Sequence, residues 1–422
     1  MTVRPVGEPA QGRACAAAAW LVPADAADLA RDAAQAWSQS AWVSRPLAKQ
    51  LGMAGGPGQL LLTVSANRGP APPSSGAAQR DEGMGLADRP FLADAPTKAN
   101  PRRLDHARAL SARLGLAGRA RGRVLVGVVG SKGKGTAAIY ASAVLAAGGL
   151  KVGTITGPGI TSGIERIRIN GESIPEADYA AIGRRIERFA GASAPGTTDL
   201  LRGVAPSGRY LLFGLDYLLN AGCHAVVLEA GRGGASDELS VLPLDYLLVT
   251  EVFREHTEYL GATAPLIARD KVGAASAATS IIFYLAQSAP VERALRAGAR
   301  ALGATALRVD PACESNPAAW GCQGAVAPAG YGRRNAVLGV SAGWAILRET
   351  GRGAPPRARL ATTLASVTTP GRLTALRGPD GATLLVDSAV TRDGLVAALF
   401  AARKLAGQRP EHIIISLPSD KD

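Results

Sequence analysis

The chain has 422 residues, too many for one ordinary core, which predicts two or three domains. With 47% hydrophobic and 19% charged residues it is not a largely disordered chain, and no apolar run approaches the roughly 18 residues of a membrane span. A net charge of +13, from 47 Lys+Arg against 34 Asp+Glu, suits an anionic ligand or plain solubility. The cations are scattered and aromatics reach only 5%, so an anionic small molecule fits better than nucleic acid. Cys15, Cys223, Cys313 and Cys322 contain no CxxC pair. That argues against a disulfide scaffold or a cysteine zinc site and suits a reducing cytoplasm.

Along the chain, Ala14 to Val22 follows Arg13 like a short signal segment, but Glu8 precedes it and Pro23 ends it. Ala24 to Trp42 predicts a helix and Gln59 to Ser65 a strand, and 68–99 reads as a Gly/Pro/Ser-rich linker. From residue 100 strands and helices alternate: helix Leu104–Leu116, strand Val124–Val129, helix Ala137–Ala147, strand Lys151–Thr156. Helix Arg209–Leu219, strands His224–Glu229 and Asp245–Thr250, and helix Ala262–Ala278 follow. Then come strand Ser280–Leu285, helix Val291–Leu302 and strand Ala306–Val309. Such alternation predicts a parallel sheet covered on both faces. Beyond 325, helix Asn335–Glu349, strand Ala382–Asp387, helix Asp393–Leu405 and strand His412–Ser416 predict a second, smaller α/β unit.

Gly130, Ser131, Lys132, Gly133, Lys134, Gly135 and Thr136 form the run GSKGKGT between a strand and a helix, the context of a phosphate loop. Glycines let successive backbone N–H groups face one anion, and the helix start adds positive potential. Lys134 is placed to reach β- and γ-phosphates and Thr136 to put a hydroxyl on Mg²⁺. The spacing differs from GxxxxGK[ST], with Gly135 between Lys134 and Thr136. Glu229, ending a strand before the glycines of EAGRGGASD, suits a Mg²⁺ ligand. His256 is a lone histidine, and lone histidines are more often structural; Lys271 alone reads as a solvated helix lysine.

Taken together and in order, these segments resemble the folylpolyglutamate synthase / dihydrofolate synthase family of the Mur ligase superfamily. The matching stretches are VVGSKGKGT (128–136), ERIRINGESI (165–174), VVLEAGRGGASD (226–237), EHTEYLG (255–261) and IARDKVGA (267–274). RRNAVLGVSAG (333–343), TPGRLTAL (369–376), VDSAV (386–390) and SDKD (419–422) complete the set. The resemblance implies an α/β fold: a P-loop ATPase domain over 100–325 with a mostly parallel sheet, and a smaller, incomplete Rossmann-like ligase domain over 326–422. Residues 1–99 are left as an extension and linker without an assigned role. It also implies an ATP-dependent, amide-forming ligase working through an acyl phosphate on a folate-like or other carboxylate, with glutamate as the incoming amino acid. Lys134 would neutralise phosphates, and Thr136 and Glu229 would hold one Mg²⁺. His256 would help hold a second ion, with Lys271 carbamylated into a metal-binding anion. Asn335 would touch adenine, Arg372 the phosphates and Asp387 the ribose.

The departures from the pattern cluster on the acceptor side. Gly159 and Val390 stand where the family places histidines, and Glu255 replaces the aspartate before His256. Ser131 and Lys132 replace Thr-Asn in the loop. These changes make folates the poorer expected substrates and keep two alternatives open: a ligase of specialised metabolism and a nucleotide-binding scaffold. The chain ends at Asp422, before the family's C-terminal domain would close, so the expectation is either a truncated C-terminal domain or a sheet completed by a second chain.

Overall fold

A computed structural model describes residues 4–6, 19–23, 60–65, 86–93, 96, 101–159, 162–191, 197–309, 331–369, 371–372, 374–377, 383–387, 395–396, 398–400, 402–403 and 412–416. They fall into two compact units, one within 1–69, 329–331 and 369–422, the other within 70–328 and 332–368. The first unit opens with β1 (Arg4–Val6), β2 (Ala19–Pro23) and β3 (Leu60–Ser65). The second begins with the short helix α1 (Arg89–Leu92), then α2 (Leu104–Arg113), α3 (Leu116–Arg119), β4 (Val124–Val129), α4 (Lys134–Ala147) and β5 (Val152–Ile155). It continues through β6 (Ile167–Ile169), β7 (Glu172–Ser173), α5 (Glu176–Gly191), α6 (Thr197–Arg202), α7 (Pro206–Asn220), β8 (Ala225–Glu229) and β9 (Tyr246–Val249). It closes with α8 (Thr257–Leu260), α9 (Ala264–Val272), β10 (Ile281–Leu285), α10 (Ala289–Ala301), β11 (Thr305–Val309), α11 (Tyr331–Glu349) and α12 (Arg357–Ala365). The chain then returns to the first unit with β12 (Thr374–Arg377), β13 (Thr383–Asp387) and β14 (His412–Ser416).

The larger unit carries an eight-stranded sheet in the order β11-β10-β9-β4-β8-β5-β6-β7. From β11 to β5 every pairing is parallel, and β6 and β7 close the edge as an antiparallel ribbon. The run VLVGVV reads as continuous apolar sequence because both faces of β4 are covered. Leu125 and Val129 join the core cluster with Leu211, Leu215 and Phe91. Val126 and Val128 join the opposite cluster, with Ala137 and Ala141 of α4 and Ala336 and Val340 of α11. Helix α11 therefore packs with the eight-stranded sheet, although it lies beyond the division expected at 325. The expected linker also contributes to this core: Phe91 is buried, with its ring stacked 4.1 Å from Tyr210 and 5.1 Å from Tyr179.

The smaller unit is a six-stranded sheet, β1-β2-β14-β3-β13-β12. Here β3 lies between β13 and β14 and is parallel to both, with Leu62 opposite Leu385 and Ile413. β2 runs antiparallel to β14, with Trp20 opposite Ile415. Within residues 1–99, the extension and linker whose role the sequence left open, β1, β2 and β3 join this sheet, and the stretch that could pass for a signal segment ends in β2. The expected helix 24–42, Val390 and SDKD (419–422) lie outside the described residues. Among the described residues no helix is long and apolar enough to cross a membrane.

Candidate functional site

The site is built at the carboxyl ends of β4, β8 and β9, which are adjacent in the sheet. The loop after β4 runs through Gly130–Gly133 into the first turn of α4, which starts at Lys134. Gly133 adopts φ +85°, and a Cβ there would sit 2.1 Å from Asn335 Nδ2. Only glycine serves at this point, because both the backbone and the neighbour exclude a side chain. Asn335, buried on the first turns of α11, is therefore packed directly on the loop.

Each flank of the loop is tied to a neighbouring strand end. On the β9 side, Ser131 N–H donates to Glu251 O at 2.7 Å, and Phe253 N–H donates to Ser131 Oγ at 3.1 Å. Lys132 pairs through its backbone with Glu251. Ser131 and Lys132, the departures from the family's Thr-Asn, thus anchor the loop to 251–253. On the β8 side, Glu229 Oε2 accepts from Gly157 N–H at 2.8 Å and lies 3.2 Å from where a Cβ of Gly135 would stand. A carboxylate thereby flanks the residue between Lys134 and Thr136, and Thr136 is buried in the helix start.

Two lysines meet at one carbonyl. Lys134 Nζ donates to Gly130 O at 3.1 Å and Lys271 Nζ to the same oxygen at 2.9 Å. Lys271 is 1% exposed rather than solvated, and its ammonium also donates to Glu255 Oε1 at 2.8 Å. His256 sits in the left-handed region, φ 47°, capping α8, with Nε2 4.0 Å from Glu255 Oε2. Among the described residues no three of His, Cys, Asp and Glu gather as a metal-ligand group. Arg372 and Asp387 belong to the six-stranded unit, on the turn before β12 and at the end of β13, where Asp387 is fully buried.

Several supporting residues carry no signature in the sequence. Asp270 accepts from Gly234 N–H at 2.7 Å and Ser236 N–H at 3.2 Å, clamping the turn after β8 onto α9. A Cβ on Gly234 would come within 2.3 Å of Lys271 O, so this glycine is what lets α9 close on the turn and bring Lys271 to the loop. Arg102 donates to Arg232 O and Ser236 O and pairs with Asp237 and Glu238, holding the same turn from the other side. Carboxylates and guanidiniums of this kind follow no periodicity. Only their adjacency to the glycine run and to Lys271 marks them.

No protein-family model matches the chain. A probable bifunctional folylpolyglutamate synthase/dihydropteroate synthase of Halobacterium salinarum is 35% identical over 157 residues, 36% of this chain and 18% of that protein. The dihydrofolate synthase/folylpolyglutamate synthase of Escherichia coli K12 is 32% identical over 150 residues, 35% of this chain and 32% of its own length. The matched stretch thus spans about a third or less of these curated relatives. Among solved structures, the apo form of L. casei FPGS superposes with a TM-score of 0.61 at 21% identity, covering 75% of this chain and 80% of that one. An FPGS–AMPPCP complex gives a TM-score of 0.60 at 22% identity over 73% of this chain and 78% of that one. A third of the chain by sequence, and about three quarters of it by fold, are similar to the folylpolyglutamate/dihydrofolate synthases.

Proposed function

We propose that this chain is an ATP-dependent ligase that joins a carboxylate to the amine of an amino acid, with glutamate the first candidate and a folate-like acid the first acceptor to try. The observation that carries the reading is the convergence of Lys134, Thr136 and Glu229 on one helix start at the carboxyl edge of a parallel sheet. The names of the sequence relatives, and the ATP analogue named for a structure of the same fold, support it.

In this reading the eight-stranded unit is the ATPase domain, and the six-stranded unit, with residues 4–65, stands for the C-terminal domain. The acceptor carboxylate oxygen attacks the γ-phosphorus, the bond to the bridging oxygen breaks, and ADP leaves with that electron pair. The amine then attacks the acyl carbon of the acyl phosphate. The C–O bond breaks, phosphate leaves, and the nitrogen gives up a proton to water. The chain's part is placement and charge neutralisation. Lys134 exchanges its bond to Gly130 O for phosphate oxygens, the loop N–H groups hold the chain of phosphates, and Asn335 borders the nucleotide. The Thr136 hydroxyl and Glu229 carboxylate are hard oxygens on either side of Gly135 and fit a Mg²⁺ shared with the phosphates. Such an ion supplies charge neutralisation for the transferring phosphoryl group.

The proposal stops at one ion and does not include a carbamate on Lys271. The ammonium has two acceptors within 2.9 Å, and a carbamate there would face the Glu255 carboxylate. A buried anion pair is costly where an ammonium–carboxylate pair is satisfied. We place the activity in a reducing cytoplasm, where the buried free thiol of Cys223 would persist. The deciding assay incubates the protein with Mg·ATP, glutamate and either dihydropteroate, tetrahydrofolate monoglutamate or unrelated carboxylates, following phosphate release and product mass. Phosphate release that depends on both acid and amine, with an amide product, is the expected result. ATP binding without any acid-dependent phosphate release would leave a nucleotide-binding scaffold.

A further inference from the structure

We infer that Lys271 is a positioning residue of the phosphate loop. Held as an ammonium by Glu255, it stays on Gly130 O when Lys134 leaves that carbonyl for phosphate. It thus stands in place of the carbamate and second ion that the resemblance implies. This deepens the ligase reading and rests on it. Gly130 is buried, and a Cβ there would collide with the Thr250 hydroxyl, so the first residue of the loop lies pressed against the end of β9. Its carbonyl takes two ammonium donors, Lys271 at 2.9 Å and Lys134 at 3.1 Å. Two cations on one neutral oxygen repel each other, so the arrangement calls for a reason.

The two lysines differ in freedom. Lys134 is half-buried on the first turn of α4. Lys271 is 1% exposed, and the backbone beside it is fixed: Ala235 N–H donates to Asp270 O at 2.7 Å, while Asp270 Oδ1 accepts from Gly234 N–H at 2.7 Å and Ser236 Oγ at 3.1 Å. Glu255, itself buried, holds the Lys271 ammonium at 2.8 Å. Nucleotide phosphates therefore draw on Lys134, the lysine that can move. A buried carbonyl deserted by its donor carries the full penalty of an unmade hydrogen bond. Lys271 removes that penalty, because Gly130 O keeps one ammonium after the other has gone to the ligand.

The same contacts are those of a cation. Carbamylation would turn a three-donor ammonium into a single N–H joined to an anion, set against a carboxylate and a carbonyl that both need donors. Glu255, a methylene longer than the aspartate of the family pattern, reaches Nζ directly, and His256 Nε2 lies 4.0 Å from its Oε2. The residues around Lys271 fit a fixed monovalent cation. They do not fit a second divalent ion bound through a carbamate.

The first test uses the native full chain, labelled with ¹⁵N-lysine and equilibrated with ¹³C-bicarbonate, before and after addition of Mg·AMPPCP. An exchange-protected lysine NH₃⁺ signal should be present in both states, with no carbamate carbon on a lysine nitrogen. A carbamate carbon, the lack of a protected ammonium, or its disappearance on adding nucleotide would each overturn the inference. The second test measures Mg·AMPPCP affinity by calorimetry. Replacing both ions together, Glu255→Leu with Lys271→Met, avoids leaving one buried charge unpaired. That protein should lose the protected ammonium signal and bind AMPPCP roughly 10-fold more weakly, since Lys134 can then leave Gly130 O only by orphaning it. In a Lys134→Ala background the same replacement should change affinity less than about twofold, because no lysine leaves the carbonyl on binding. An equal loss in both backgrounds is what general damage to the loop would give, and it too would overturn the inference. Failure of the native protein to bind AMPPCP would instead sink the ligase reading itself.

Discussion

The two sheets are assembled in different ways. In the eight-stranded sheet the parallel strands all fall between Val124 and Val309, in a stretch where helices alternate with strands, so each local sequence pattern agrees with the global one. In the six-stranded sheet a central strand, β3, pairs Leu60 with Thr383 and Leu61 with His412, bringing the two ends of the chain into one ladder. A sheet of the first kind is recognised from any window of its sequence. A sheet of the second kind depends on closing a very long loop, and the entropy of that closure grows only slowly with loop length. The chemistry argued above sits entirely on the first sheet, and it is the second whose integrity depends on residues far from any motif.

The largest expected effect separates chemistry from architecture. Lys134→Ala should lower Mg·ATP-dependent phosphate release by about 10²-fold or more, because it removes a preorganised cation from the transferring phosphate. Amide exchange in β3, β13 and β14 should be unaltered. A Lys134→Ala protein with native turnover would remove the loop from the mechanism.

Next are two core substitutions, one in each unit. Glu255→Ala removes the carboxylate that pairs with the buried Lys271 ammonium and should destabilise the larger unit by about 3–5 kcal/mol. Leu385→Ala, at a fully buried position of β13, should cost the smaller unit about 2–5 kcal/mol. Hydrogen exchange resolved by strand checks both: faster exchange in β4 and β9 for the first, in β3 and β14 for the second. If Leu385→Ala left β3 protected, the parallel pairing of β3 with β13 would be wrong.

How much was legible in the sequence follows the same division. Strand Val124–Val129, the loop after it and the helices over Arg209–Leu219 and Val291–Leu302 are readable from apolar runs and periodicity, and the structure has them within a few residues. The helix expected over Ala262–Ala278 ends at Val272, where Gly273 caps it. Helices α5 and α12 and the ribbon β6–β7 escaped the reading. In β6 the reason is physical: charged Arg168 stands between Ile167 and Ile169, as in any half-exposed strand, and nothing in the pattern says that the arginine is buried. For the same reason Lys271 reads as a solvated lysine in the sequence, although its ammonium is buried against Glu255 and Gly130 O. The strand Leu60–Ser65 was legible, but its partners were not. Pairing register between distant strands is set by tertiary contacts that no local window contains.

The smallest effect expected is a dependence on pH confined to the larger unit, and it comes from Glu238 beneath the glycine turn. This side chain is fully buried, accepts from Ala205 N–H at 2.9 Å and faces Arg102 Nε at 3.2 Å. Burial pushes its carboxyl from an ordinary 4.5 up to about 7, with Arg102 opposing the rise and Asp237 adding to it. In the folded state the proton is held more tightly than in the unfolded chain. As pH rises from 4.5 toward 7 the unfolded chain gives up its proton first, so stability falls across that window and levels off above it. The fall should not exceed about 3.4 kcal/mol, at 1.36 kcal/mol per unit over the rise from 4.5 to about 7. Glu238→Gln keeps an oxygen for Ala205 N–H and cannot ionise. Its denaturant midpoint should therefore decline less than the native protein's between pH 5 and about 7.5, a difference free of the histidines common to both proteins. The change should appear in exchange of β4 and β8 and be absent from β3 and β14. Equal pH slopes in the two proteins would mean that Arg102 keeps Glu238 ionised throughout. The pair would then be an ordinary buried salt bridge, supporting the turn equally at every pH in that range.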